Sequence, residues 1–514
     1  MAAGDPSGWP ALFSLVLAVA ICFVSANIFV DEERNRLIVG EKYMRFGSLV
    51  VLTKQEKKAN RNLMAIKKAE IKEAMETHQF PPSMHFFQAK RLIEDSEVFR
   101  ILRKMPKGAA LHIHEFSMAS VEWLVKNVTY RPHCYFCITP KGLFQFKFAD
   151  PAPQKLRSRE CTEWVSLEDH RKKSNASVFD KRLLSMFSMV TKNPHSIYPN
   201  QDAVRTEFQN ILFSMSGLVT HAPVFKDYIF QGLKEFHQDN VFFLEIRTRL
   251  SPVYELNGTV HNGLWVVKAY QEVVKNFQKT HRGFMGLRLI FSDSRSRSVA
   301  IVADSVRKAM GLQYHFPGIM AGFDLVGRED TGRSLYSYRE ALTIPVKHRI
   351  KLPYFFHAGE TDWYGTSIDG NLVDAVILNA TRIGHGFALT KHPLVRVYSQ
   401  EKDIPVEVCP ISNQVMKLVA DLRNHPAASL MASGHPMVIS SDHPALFGAK
   451  GLSYDFYEVF MGIAGNKADL RTLKLLVTNS IKYSSVVKSE KDFLMKVWWI
   501  KWNQFIEKLA QRRR

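Results

Sequence analysis

Cysteine and acid are both scarce in this chain. Five cysteines in 514 residues are too few for a scaffold held together by disulfides rather than by a core. Asp and Glu number 49 against 69 Lys and Arg, a formal net charge of +20. That balance suits an anionic partner such as a glycosaminoglycan, or simply a generally basic surface. The basic clusters "KQEKKANRN", "HRKKS", "SRSRS" and "QRRR" do not alternate with aromatics, which disfavours a nucleic-acid channel. Beyond residue 26 no unbroken apolar run reaches the ~18 residues of a membrane span. Nor is any stretch compositionally disordered.

What is present is a large core-forming inventory, 46% hydrophobic with 35 Phe. The length fits a barrel of ~250 residues plus attachments. Residues 1–26 contain "PALFSLVLAVAICFVSA", an apolar run closing on small residues. It is expected to be a signal peptide, a membrane anchor being the competing reading. Glycosylation acceptor patterns at Asn127, Asn175, Asn257 and Asn379 agree with a secretory route. Without Cys22 of the leader, Cys134, Cys137, Cys161 and Cys409 remain, enough for one bridge in an oxidising compartment. Cys137–Cys161 is the expected pair, closing an irregular, polar, proline-bearing segment. Cys409 sits in an apolar strand pattern and is expected to be a buried thiol.

Residues 27–105 follow a helical pattern. In "NRNLMAIKKAEIKEAMETHQF", Leu63, Ile66, Ile71 and Met75 mark one side. This segment is expected to serve dimerisation, to act as a lid, or simply to extend the packing. From Gly108 short apolar runs alternate with helical stretches. Eight such runs begin at residues 108, 241, 283, 318, 352, 381, 404 and 435. Alternating β and α units imply a parallel sheet, and eight in succession predict a closed (β/α)8 TIM barrel over 106–510, with a doubly wound sheet as the lesser option. The long gap after the first run predicts a disulfide-stapled insertion over about 127–187 on the catalytic face.

Polar residues cluster at the carboxyl ends of these runs. "GAALHIHE" ends in His112, His114 and Glu115, "FFHAGE" in His357 and Glu360, "RIGHG" in His385, and "VISSD" in Asp442. Residues two apart on a strand share a face, and strand ends of a barrel converge on one site. Imidazoles with a carboxylate form a first-row metal set, zinc being the default.

The ordered motifs "MPKGAALHIHE", "YFFHAGETDW", "TRIGHGFAL", "EVCPISNQ" and "ISSD" resemble the adenosine deaminase branch of the amidohydrolase superfamily, in its secreted growth-factor type. The likeness covers essentially all of the chain after the leader. It implies His112, His114, His357 and Asp442 as ligands of one zinc per subunit, Glu360 as proton donor to purine N1, and His385 as the residue that polarises the attacking water. Glu115, Gly327, His443 and Trp363 would meet the substrate. The implied reaction is hydrolytic deamination of adenosine and 2′-deoxyadenosine to inosine and 2′-deoxyinosine plus ammonia. Glu360 would need burial and a raised pKa to carry its proton. The implied setting is a secreted homodimer joined through the amino-terminal helices, with lysosomal residence as the other option and a glycosaminoglycan or cell-surface receptor as a partner.

Three positions depart from the family pattern. Glu115 stands where the family has Asp, His443 where it has a second Asp, and Arg205 where an aromatic over the substrate is expected. Two further readings therefore stay open: a weakly active or inactive relative acting as an extracellular binding protein, and a zinc amidohydrolase for another substrate.

Overall fold

The structure, a computed structural model, describes residues 29–154, 161 and 163–512. The leader expected at 1–26 lies outside the described residues. Eight short parallel strands form where the apolar runs fall: β1 (Gly108–His114), β2 (Val241–Thr248), β3 (Gly286–Ser294), β4 (Met320–Val326), β5 (His357–Ala358), β6 (Ile383–His385), β7 (Val406–Val408) and β8 (Met437–Ile439). The first four pair in order, as do the last four. Bridges at Phe323–Tyr354 and Ile113–Asp442 join the two halves. At the second seam the His114 amide donates to the Asp442 carbonyl and the Asp442 amide to the His112 carbonyl, each at 3.1 Å. The barrel is therefore closed, and a doubly wound sheet is ruled out.

Apolar side chains fill most of the interior, but the middle of the barrel holds a buried charge network. Arg247 of β2 donates to Asp324 of β4 and Glu407 of β7, both at 2.7 Å. Arg382 donates to Glu407 at 2.5 Å and to Glu245 of β2 at 2.6 Å. All five side chains are fully buried. Charges so desolvated persist only when each is paired, and this network also orients the site above it.

The amino-terminal segment begins with a helix over 29–44. The next helix, Lys54–Thr77, starts in a capping box made by Thr53 and Glu56. Its inward residues are Ala59, Leu63, Lys67, Ile71 and Ala74. Lys67 joins this inward side next to the half-buried Ile66, and of the expected stripe only Met75 is corrected, since it faces solvent. The Lys67 ammonium is held by the carbonyls of Phe460, Gly465 and Ala468 at 2.7–3.0 Å. Burial lowers its pKa to about 7. Glu56 accepts from Lys474 at 2.8 Å and from the Trp502 indole at 2.7 Å. The segment is therefore tied to the chain's last two helices, Leu470–Lys482 and Lys488–Gln511.

After β1 the chain forms a three-stranded antiparallel sheet of Cys134–Ile138, Phe144–Phe148 and Val165–Ser166, followed by helices Leu167–Lys173 and Ala176–Met186. Cys137 and Cys161 are joined in this insertion, while Cys134 and Cys409 are buried free thiols. The helix Gln201–Val219 lies across the sheet. At Gly217 an added Cβ would sit 1.9 Å from the Phe146 carbonyl, so only glycine permits that approach. Among the described residues no helix is long and apolar enough to cross a membrane. The "SRSRS" cluster is only partly at the surface, Arg297 being exposed. Arg295 is buried, and its guanidinium donates to the carbonyls of Leu325 and His357 at 3.0 and 2.7 Å.

Candidate active site

The carboxyl ends of the strands surround a cavity of about 460 Å³ whose lining includes His114, His357, Glu360, His385, Asp442 and His443. Three imidazoles close on Asp442 Oδ1. His112 Nε2 lies 3.3 Å from this oxygen, and the Nε2 atoms of His114 and His443 both lie 3.2 Å from it. His112 Nε2, His114 Nε2 and Asp442 Oδ1 are buried without a hydrogen-bond partner among the described residues.

Hydrogen bonds on the far side of each ring fix which nitrogen carries the proton. His112 Nδ1 lies 2.7 Å from Glu407, and His357 Nδ1 lies 2.7 Å from Asp324. Both carboxylates accept, so each Nδ1 is protonated and each Nε2 presents a lone pair inward. His385 is built the other way. The Ala427 amide donates to His425 Nδ1, so His425 Nε2–H donates to the Asn413 carbonyl oxygen at 3.0 Å. The Asn413 amide nitrogen then donates to His385 Nδ1 at 3.2 Å. His385 Nε2 therefore carries its hydrogen, 3.9 Å from Asp442 Oδ2. Two groupings of close donor atoms result, His112–His357–His385–Asp442 and His114–Asp442–His443, sharing the carboxylate. The tautomer of His385 sets it apart from His112 and His357, since its Nε2 presents a hydrogen rather than a lone pair.

The residues present fit a metal ion. Several lone pairs converge on one buried carboxylate oxygen, an arrangement that is repulsive unless a cation or proton lies between them. Burial holds His114 below the ordinary histidine value, and His357 and His443 well below it, leaving neutral imidazoles of the ligating form. Nitrogen-rich sets of this kind suit zinc among common divalent ions.

Glu360 is buried within this cavity, as expected, but its charge state is not. Burial pushes its pKa up, yet the guanidinium of Arg205, 3.1 Å from Oε1, and His385 outweigh this and hold it below the usual carboxylate value. Arg205 stands on the helix Gln201–Val219 above the strand ends, and Phe208 of the same helix meets the His443 ring edge-on at 4.7 Å. Glu115 turns Oε1 into the protein, where the Thr248 and Tyr270 hydroxyls donate at 2.9 and 2.7 Å. Burial pushes its pKa up to about 7. Gly327 lines the cavity with φ +106°, backbone that favours glycine. Trp363, expected to meet the substrate, is 60% exposed and lies outside the lining of this cavity.

Sequence reasoning missed the supporting shell. Glu407 and Asp324 are lone acids within the apolar strands "VEV" and "MAGFDLV". An acid inside a strand buried on both faces was the signal. Ser412 donates to Asp442 Oδ2 at 2.7 Å, and Glu329 accepts from the amides of Gly359 and Glu360 at 2.9 and 2.7 Å. Neither carries a local signal, because the partners lie about 30 residues away.

Residues 192–497 match the family described as Adenosine deaminase, and residues 19–102 the one described as Adenosine/AMP deaminase N-terminal. The chain is 60% identical to adenosine deaminase 2 of Pongo abelii and 59% identical to that of Homo sapiens, over the full length of each pair. It is 47% identical to adenosine deaminase 2-A of Danio rerio, over 96% of this chain and 97% of the relative. Among solved structures, the N6-mAMP deaminase of Arabidopsis is similar in fold at a TM-score of 0.53 and 16% identity, covering 78% of this chain and 99% of that one. The adenine deaminase of Arthrobacter aurescens is similar at 0.52 and 17%, covering 77% and 99%.

Proposed function

We infer, on the premise that this chain belongs to the adenosine deaminase family, that it hydrolytically deaminates adenosine and 2′-deoxyadenosine to the inosine nucleosides and ammonia. The observation that carries the reading is that His112 and His357 group with Asp442, and His114 groups with the same carboxylate, while His385 and Glu360 line the same cavity. Zinc, when bound, supplies the Lewis acidity that makes water nucleophilic near neutral pH. His112, His114, His357 and Asp442 hold it. His385, its Nε2–H set by Asn413, would orient the attacking water by donating to its oxygen. Glu360 delivers a proton to purine N1, which makes C6 electrophilic, and Gly327 lets the purine approach the backbone closely.

The decisive measurement is the loss of nucleoside absorbance near the purine maximum on adding zinc-loaded protein to adenosine and to deoxyadenosine. Both are expected to be consumed. Glu360→Gln is expected to abolish turnover while metal content by elemental analysis stays unchanged. Normal turnover in that variant would remove Glu360 from its role.

The protein is secreted, glycosylated and dimeric in this reading. Asn127, Asn175, Asn257 and Asn379 are all exposed, and the Cys137–Cys161 bond suits an oxidising compartment, outside the cell or in a lysosome. The helix over 29–44 exposes Leu37, Ile38, Tyr43 and Met44, apolar surface suited to joining two copies. The charge of +20 supports an anionic glycosaminoglycan or a receptor as partner.

A further inference from the structure

His443 is the position where this chain departs from the resembled pattern at the rim of the metal set. Two hydrogen bonds fix its protonation. The Ser117 hydroxyl donates to the His114 carbonyl at 3.1 Å, which leaves its oxygen as an acceptor for His443 Nδ1–H at 2.8 Å. His443 Nε2 therefore carries a lone pair and no hydrogen, 3.2 Å from Asp442 Oδ1. In this tautomer the ring has no N–H left to donate to purine N7, the role the resemblance assigned to the position. Its Nε2 instead repeats the arrangement of His112 and His357, a back-side Nδ1–H bond and an inward lone pair. The ring stacks on His114 at 4.3 Å and 12° and is braced edge-on by Phe208, so it is held in that orientation. His114, Asp442 and His443 alone bring three donor atoms within 4.8 Å of one another.

We propose that His443 is itself a ligand of the metal ion this site takes, through Nε2, giving a single ion five protein donors: four imidazoles and Asp442. Ser117 is a positioning residue that keeps the lone pair on Nε2. The extra donor tightens metal binding. The inference rests on the deaminase reading only in that both need a metal at this place.

The test uses the full-length protein, stripped with a chelator and titrated with zinc alone against a competing chromophoric chelator. His443→Phe keeps a ring of similar size without a donor and is expected to weaken zinc binding by at least tenfold, at an unchanged stoichiometry of one. Even loss of a group that merely supports a ligand commonly costs 10–100-fold. Ser117→Ala, which leaves every donor in place, is expected to weaken binding less. The visible spectrum of the cobalt(II)-substituted protein is expected to change shape and intensity in His443→Phe, as one nitrogen leaves the ion. If His443→Phe and Ser117→Ala both bind zinc as the unmodified chain does, with the same cobalt spectrum, the proposal is overturned while the deaminase reading stands. Two ions per unmodified chain would overturn it as well. If the unmodified chain binds no zinc, both readings fall together. Should His443→Phe fail to fold, judged by circular dichroism of the metal-free protein, Ser117→Ala carries the test alone, and unchanged zinc affinity in it overturns the proposal.

Discussion

The charge nearest to Glu360 does most to set its chemistry. The general acid must reach the substrate protonated, and burial alone would favour that form. Arg205, 3.1 Å away, works against it. Because the folded-state pKa is lowered, the proton is present only at more acidic pH, and donation is lost as pH rises. Replacing Arg205 by Leu removes the opposing charge and leaves burial in control. The expected outcome is a deamination rate that persists to higher pH, with kcat at pH 7 rising by about tenfold for each pKa unit regained. A pH–rate profile of the two proteins, side by side, checks this; coincident profiles would show that Arg205 swings away once substrate enters. Of this pair, Glu360 was legible in the sequence because it follows a strand end after His-Ala-Gly. Its contact with Arg205 was not, since the two lie 155 positions apart and meet only through the insertion.

At the scale of elements, legibility followed local pattern. Seven of the eight strands lie within their apolar runs and the third, Gly286–Ser294, overruns its own by two residues, because a strand buried on both faces is mostly apolar whatever surrounds it. The inward stripe of Lys54–Thr77 was less legible. Lys67 joins the inward side because three carbonyls await its ammonium, and no periodicity encodes a partner nearly 400 residues away. The insertion has a role of its own. Its sheet supports the helix that carries Arg205 and Phe208, with Gly217 as the point of closest approach. The Cys137–Cys161 bond spans 24 positions, and closing such a loop contributes about 3 kcal/mol. Cys137→Ser with Cys161→Ser is therefore expected to lower the melting temperature by several degrees and to raise KM more than it lowers kcat, with metal content unchanged. Calorimetry and steady-state kinetics on the double variant check both halves. A fall in metal content would mean that the insertion braces the strand ends as well as the substrate.

For the whole molecule, the metal donors are a source of instability when no cation holds them. Three imidazole nitrogens crowd one carboxylate oxygen, and binding to the folded state alone stabilises it by linkage. Dialysis against a chelator is expected to lower the melting temperature. Zinc should restore it and magnesium should not, since the donors are mostly nitrogen. Equal restoration by magnesium would argue against a nitrogen-bound ion. The donors also come from distant parts of the chain. His112 and Asp442 are separated by 330 positions, yet they sit side by side at the seam where β1 meets the residues after β8, bonded backbone to backbone. During synthesis the two histidines of β1 leave the ribosome long before the carboxylate that completes their set. A nascent chain has no such pocket for an ion until its last barrel strand has been made and docked, so capture of the metal reports that the barrel has closed.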